Sequence, residues 1–240
     1  MGKLNKNSSV PLYQQLIDEI KSQITQGDLK EGDKIPTEVE LSEIYNVSRI
    51  TIRKAIELLV EDEILIKRQG IGTFVAAKKL NRNMNGFMGF SQSCLAEGRR
   101  PGTQLMKADL ADPTLNDKES LNLAENEKVI RIIRLRFIDD YPVMLEENHF
   151  PTKYAFLFGK NLNSSLYQIL NEAGIYMSRG VKQFGICYAN DLEAESLNVK
   201  KGTALLMVKD VSYDKEGIPI HTCKSIINPE RYKFIVTTTS

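Results

Sequence analysis

Two arginines separated by a single residue inside an apolar run, Val129-Ile130-Arg131-Ile132-Ile133-Arg134-Leu135-Arg136-Phe137-Ile138, pose the first chemical question of this sequence. A run that is apolar on both faces reads as a central strand. Strand alternation puts Arg134 and Arg136 on one face, roughly 7 Å apart, beside Ile130, Ile132 and Ile138. Unpaired charge in such surroundings costs several kcal/mol or more. Either Glu146 or Glu147 on the next strand neutralises the pair, or the pair faces a cavity that receives an anion. Further on, Asn163-Ser164-Ser165-Leu166-Tyr167 opens a helix. Free N–H groups and the dipole at a helix start favour an anion, and a serine hydroxyl adds a donor, although serines there commonly serve only as caps. Arginines and serines together fit a phosphate clamp.

A second set of cations has a different setting. Arg49, Thr51, Arg53 and Lys54 follow Ser48, a natural helix cap, while Ile52, Ala55, Ile56 and Leu59 give the same helix an inward face to about Glu61. Upstream, Thr37-Glu38-Val39-Glu40 is a capping box for a short helix ending near Tyr45, and Asn46-Val47 makes the turn. Two short helices joined so tightly are a helix-turn-helix, whose second helix offers its N-terminal residues to base edges and phosphates. Arginine can hold guanine bidentately, and threonine can meet a phosphate or a thymine methyl. Leu12, Leu16, Ile20 and Ile24 stripe an earlier helix that Gly27 terminates, and Leu65–Arg68, Gln69-Gly70-Ile71-Gly72 and Thr73–Val75 read as a hairpin wing with glycines at its tip.

The elements that carry these groups divide the chain. Its 240 residues suit two modest domains, and 42% hydrophobic with 26% charged residues excludes disorder and fibrous repeats. Thirty-two basic residues against 31 acidic ones leave no global field, so any nucleic-acid surface must be local. Residues 1–77 carry 10 basic and 12 acidic side chains, with the positive charge gathered at Arg49–Lys54 and Lys67-Arg68. Residues 1–76 are expected to form a winged helix-turn-helix domain (helix-turn-helix about 37–56, wing about 64–75), 77–86 a polar linker, and 87–240 a second domain. There, Glu119-Ser120-Leu121-Asn122-Leu123 recurs as Glu195-Ser196-Leu197-Asn198-Val199, each followed by two strand-like runs, which predicts an antiparallel sheet with flanking helices and an α+β fold. Three scattered cysteines and two histidines give no metal-ligand spacing, so no metal or cofactor is expected. The cysteines and Met84, Met88, Met106 and Met144 are assigned to packing, and the charge near Lys182, Lys200 and Lys201 to a solvated face. No apolar run reaches membrane-spanning length and the start carries no signal-type segment, so a soluble cytoplasmic protein is expected.

Pro11-Leu12-Tyr13, Gly32-Asp33-Lys34-Ile35-Pro36-Thr37-Glu38, Val47-Ser48-Arg49-Ile50-Thr51-Ile52-Arg53-Lys54-Ala55 and Gly70-Ile71-Gly72-Thr73-Phe74-Val75 closely resemble the GntR family of bacterial transcription regulators. The resemblance implies that Arg49, Thr51 and Arg53 contact an operator and that Gly70 and Gly72 shape a wing in the minor groove. Val39 stands where arginine is common in the family, with Glu38 beside it as a possible substitute reader, and Ile71 stands where a basic or polar wing residue is common. Ile133-Arg134-Leu135-Arg136, Pro142-Val143-Met144-Leu145-Glu146, Ser165-Leu166-Tyr167 and Arg231-Tyr232-Lys233-Phe234 resemble the UTRA ligand-sensing domain of the HutC-type branch, which has a chorismate-lyase-like fold. By that resemblance Arg134, Arg136 and Ser165 take a phosphate with help from Phe90 and Ser91, while Tyr167 and Glu146 line the organic part. His221 and Ile227 stand where amino-sugar-phosphate sensors carry glutamate and tyrosine, which implies a different phosphorylated metabolite.

The expected function is therefore a homodimeric regulator of double-stranded operator DNA, a repressor answering to a phosphorylated small molecule. The candidate DNA contacts are Thr37, Glu38, Ser48, Arg49, Thr51, Arg53, Lys54, Gly70 and Gly72; the candidate effector contacts are Phe90, Ser91, Arg134, Arg136, Glu146, Ser165, Tyr167 and His221. Two alternatives stand beside it: an enzyme like chorismate lyase, against which no nucleophile elbow or paired catalytic carboxylates are found, and a DNA-binding protein without an effector.

Overall fold

The computed structural model describes residues 4–84, 86 and 88–238. Residues 1–3 and 239–240, at the outer ends of the two expected domains, lie outside that range, as do Asn85 in the expected linker and Phe87 at the expected start of the second domain. The chain divides into two compact units, 1–78 and 79–240.

In the first unit α1 (Leu12–Gln26), α2 (Glu38–Tyr45) and α3 (Arg49–Glu61) are followed by a hairpin of β1 (Leu65–Arg68) and β2 (Gly72–Val75). The helix boundaries follow from their caps. Gly27 closes α1 in the left-handed conformation that costs glycine nothing. Thr37 and Glu40 exchange the two hydrogen bonds of a capping box at the start of α2. Asn46 turns the chain at φ 51°, and the Ser48 hydroxyl accepts from the Thr51 amide to open α3. Leu16, Ile20, Leu41, Ile52, Ala55, Ile56 and Leu59 meet in one core, so the inward face read from the sequence is the packed one. Gly70 (φ 72°) and Gly72 (φ 141°) occupy backbone conformations that side chains rarely adopt, which is why the wing tip needs glycine.

The second unit contains β3 (Leu80–Asn83), α4 (Phe90–Ala96), β4 (Pro101–Ala111), α5 (Leu115–Ser120), β5 (Val129–Ile138), β6 (Tyr141–Pro151), a 3-10 helix (Thr152–Gly159), α6 (Leu166–Glu172), β7 (Arg179–Tyr188), α7 (Asp191–Leu197), β8 (Ala204–Tyr213), β9 (Pro219–Ile227) and β10 (Tyr232–Ile235). Six strands form one antiparallel sheet in the order β4-β5-β6-β9-β8-β7. The repeated pentapeptide marks a repeated unit of strand, short helix and hairpin, and the two copies meet where β6 pairs with β9. Asn122 (φ 53°) and Asn198 (φ 52°) turn the chain at the helix ends in both copies, while Leu121 and Leu197 are buried. The segment expected to be a linker carries β3, which pairs in parallel with β10 from the far end of the unit. That pairing corrects the reading of 80–83 as unstructured.

Candidate functional site

On one face of the large sheet, α4, α6 and the segment around β3 and β10 border a cavity of about 580 Å³, a size suited to a small metabolite. Strand register lays out its floor. Arg134 is opposite Glu146, Glu146 opposite Ser225 and Ser225 opposite Val208, while one step along, Asn148, Cys223, Asp210 and Lys182 form the next row. His221, opposite Ser212, follows in a third row. All of these residues line the cavity, together with Arg136, Phe90, Ser165 and Tyr167.

The question of which acid meets the arginines has a definite answer. Glu146 receives Arg134 through Nε (2.9 Å) and a shorter bond from a terminal nitrogen, and Arg136 through a terminal nitrogen at 3.1 Å. Asn148 donates to the same oxygen at 3.3 Å. Burial alone would raise the Glu146 carboxyl, but the two guanidinium charges outweigh it and hold it at about 2. Burial pulls the Arg134 guanidinium down, against the opposing pull of Glu146. Glu147 faces the other side of the sheet and bonds His149 instead.

The two arginines do different work. Arg134 is fully engaged: its remaining terminal nitrogen donates to the Ser164 carbonyl (3.0 Å) and the Leu162 carbonyl (3.4 Å), tying the strand to the loop that opens α6. Arg136 donates to the Ser91 hydroxyl at 3.2 Å and stacks over the Phe90 ring, 4.5 Å from its centroid, yet its buried Nε has no partner among the described residues. Ser91 thus reaches the site through Arg136 and is not itself a lining residue. Ser165 caps α6, its oxygen accepting from the Gln168 amide at 3.3 Å, which leaves the hydroxyl proton to donate. A Cβ on Gly89 would sit 3.3 Å from the Tyr167 Cβ, so that glycine lets the start of α4 close against α6.

Sequence reasoning missed most of the lining. Arg82 lay in the expected linker; it donates to the Tyr232 hydroxyl (3.3 Å) and the Met88 carbonyl (2.7 Å). Lys182, expected on a solvated face, is a correction: it bonds Asp210 at 2.8 Å on the cavity floor, because the sheet order brings β7 beside β8. Lys201 does lie exposed, with Asp191 at 2.9 Å. Met144 is buried as expected of a packing residue, whereas Met88 and Met106 are close to half exposed. His221 stacks on Phe150 at 4.8 Å, burial lowers its pKa, and its buried Nδ1 has no partner among the described residues. Counting Arg82, Arg134, Arg136, Arg179 and Lys182 against Glu146 and Asp210, the lining is cationic.

The first unit presents the other candidate surface. Arg49, Arg53 and Lys54 are exposed on α3, with Thr51 half-buried beside the Ser48 cap. Arg53 is held by Glu38 through two hydrogen bonds of 3.1 and 3.0 Å, so two expected contacts are tied to each other across α2 and α3. Lys54 lies over the Tyr13 ring of α1 at 3.9 Å, which turns it from the free position expected of it. Ile50 is 81% exposed in the first turn of α3, a position that the inward-face pattern passed over, and Val39 is also exposed. Among the described residues no cluster of potential metal ligands occurs and no helix is long and apolar enough to cross a membrane.

Comparisons with known proteins assign both units to families. Residues 12–75 match the bacterial regulatory proteins of the gntR family, and residues 96–233 match the UTRA domain. The chain is 30% identical to the HTH-type transcriptional repressor NagR of Bacillus subtilis, over 97% of this chain and 96% of that protein. It is likewise 30% identical to a probable fructoselysine utilization operon transcriptional repressor of Escherichia coli, over 96% of each. Among solved structures, PhnF from Mycobacterium smegmatis has the same fold, with a TM-score of 0.70 and 24% identity over 95% of this chain and 99% of that one.

Proposed function

The chain belongs to the GntR family of bacterial regulatory proteins, with a UTRA domain as its second unit, and from that premise we propose that it is a cytoplasmic, homodimeric repressor whose operator binding responds to a phosphorylated metabolite. One observation carries the effector half of this reading: two buried guanidiniums share a single carboxylate at the wall of an open cavity, and the Arg136 Nε has no partner among the described residues. A phosphate oxygen accepting from Arg136, with the Ser165 hydroxyl as a second donor, would satisfy that group and offset the excess charge. A relative's named target, fructoselysine utilization, supports a ligand derived from a carbohydrate.

On the DNA side, each protomer of a two-fold dimer would set α3 into the major groove of one half-site and the wing into the adjacent minor groove. Arg49 and Thr51 would make the polar contacts, Glu38 would release Arg53 to the DNA, and Ile50 with Val39 would pack against thymine methyls. Effector binding lowers operator affinity only if the effector favours an arrangement of the winged units that fits DNA less well. The enzyme alternative gives way to the family assignment, because relatives matched over nearly their full length are named as transcriptional repressors.

The test is a thermal-shift screen of phosphorylated sugars and their unphosphorylated counterparts, paired with operator gel shifts. Phosphorylated members should raise the melting temperature as RT ln(1 + [L]/Kd) and weaken the operator complex, and both effects should vanish in Arg136→Ala. A panel in which no phosphorylated compound stabilises the protein overturns the effector reading.

A further inference from the structure

The wing is wider than the hairpin read from the sequence. Residues 32–35 run antiparallel along β2 as a third strand: the Ile35 amide donates to the Thr73 carbonyl (3.0 Å), the Val75 amide donates to the Asp33 carbonyl (2.9 Å), and Lys34 stands directly opposite Phe74. Alternation then sorts the side chains of the three strands. Ile35, Leu65 and Val75 turn into the core, while Lys34, Phe74, Gly72 and Arg68 share the outer face. On that face the Arg68 guanidinium lies over the Phe74 ring, 5.0 Å from its centroid. The Lys34 side chain crosses Gly72 so closely that a Cβ there would meet its Cε at 2.5 Å and its Nζ at 3.3 Å. Gly72 thus gives the lysine stem the room it occupies. Lys34 is exposed and has no ion pair among the described residues. The Glu40 carboxyl is held below its usual value mainly by the Thr37 amide and hydroxyl, and the Lys34 charge adds only a lesser share. The tip itself, Gln69-Gly70-Ile71, has no charge, and Ile71 is half-exposed, so the cations of the outer face flank an uncharged point.

We propose that Lys34, braced on Gly72, is a DNA-phosphate contact that grips the backbone passing between the major groove filled by α3 and the minor groove taken by the wing. This rests on the docking reading above and deepens it. A duplex whose adjacent grooves receive α3 and the wing has one phosphodiester strand running between them. Lys34 stands on the wing sheet three residues before the Thr37 cap of α2, on the stretch of chain that joins the wing to the helix-turn-helix. An ammonium is a point charge, which suits a phosphate oxygen, and a phosphate contact fixes register without reading sequence. Laying the stem along Gly72 removes part of the rotamer freedom that a free surface lysine would lose on binding.

The experiment measures Kd against salt for the full chain, with a duplex that the parent selects from a random-sequence pool and a scrambled duplex of the same length. Each phosphate contact adds about 0.9 to the slope of log Kd against log salt. Lys34→Met keeps the stem and removes the charge. It should lower the slope by about that amount per protomer, weaken both duplexes alike and leave the melting temperature unchanged. Lys215→Met, at an exposed lysine of the second unit, should keep the parent slope. Arg49→Ala, on α3, should weaken the selected duplex far more than the scrambled one. An unchanged slope in Lys34→Met overturns the contact and leaves the docking reading standing; if the melting temperature falls instead, Lys34 serves the Thr37 and Glu40 cap. An equal loss of slope in Lys215→Met also overturns the contact, because net charge then explains it. If Arg49→Ala changes nothing, the docking reading falls and this inference falls with it.

Discussion

Glu146 and Glu147 are adjacent on β6, and because a strand alternates they serve opposite faces of the sheet. On the Glu147 side His149 sits between two carboxylates, Asp117 at 2.8 Å and Glu147 at 3.2 Å, and Asp117 also receives Thr222 at 2.6 Å and Thr114 at 2.7 Å. Each donor there has an acceptor, and the cluster pins α5 to the sheet. On the Glu146 side two guanidiniums share one carboxylate, and Arg136 Nε and His221 Nδ1 have no partner among the described residues, beside a cavity. Both clusters are buried and charged. The difference teaches that burial of charge does not by itself mark a binding site; unsatisfied polar atoms on residues that line a cavity are the better sign.

The largest expected effect comes from removing the shared acid. Glu146→Gln leaves Arg134 and Arg136 facing each other in a buried setting, and losing one partner of a buried pair typically costs about 3–5 kcal/mol. Because this face borders the cavity proposed to take a phosphate, millimolar inorganic phosphate should restore part of that loss in urea unfolding curves. Parent and variant would be compared with and without phosphate. Equal losses in both buffers would mean that the Glu146 cluster is as closed as the Glu147 cluster, and the comparison would break.

The second test uses pH, with His149→Gln as the control that isolates the closed face. Burial would lower the His149 pKa, but the bonds from Asp117 and Glu147 raise it to about 9 in the folded state, above an unfolded value near 6.5. Its contribution is therefore whole below about pH 6.5 and is lost as pH rises through 9, on the order of 3 kcal/mol in all. Asp117 is held well below the usual carboxylate range by its hydrogen bonds, so its share is whole above about pH 4 and declines only in acid. Glu146, held at about 2, adds nothing between pH 6 and 10. Urea midpoints across that window should fall in the parent and fall much less in His149→Gln. A flat parent profile would remove the charged His149 from the argument.

Legibility in the sequence divides along the same physical line. Local chemistry was readable: caps at Thr37 and Ser48, the inward row Ile52, Ala55, Ile56 and Leu59, and the pentapeptides whose asparagines turn out left-handed. The family resemblance added Phe90 and Tyr167 to the site, and both line the cavity. What could not be read is what long-range pairing decides. Arg82 enters through a parallel pairing of β3 with β10, some 150 residues away along the chain. Lys182 looked solvated because nothing local announces that β7 pairs with β8 and presents it to Asp210. The choice between Glu146 and Glu147 depended on register, which a single strand pattern does not specify.

The smallest expected effect gives the sharpest control, because it compares two hydroxyls on one strand. Thr222 and Ser225 both lie on β9 and both are buried, but Thr222 is opposite His149 on the closed face while Ser225 is opposite Glu146 on the cavity face. The Thr222 hydroxyl donates to Asp117, whereas the contact of Ser225 is the Cys223 sulfur at 3.5 Å, a weak partner. Thr222→Val keeps the shape and removes a bond to a charged acceptor, worth about 1.5–3 kcal/mol. Ser225→Ala removes little that the protein itself needs and should cost less than about 0.5 kcal/mol. Thermal melts of the two single variants at pH 7 read the difference directly. Should Ser225→Ala prove as costly as Thr222→Val, the cavity face is satisfied internally after all, and its open donors would no longer separate it from the face across the sheet.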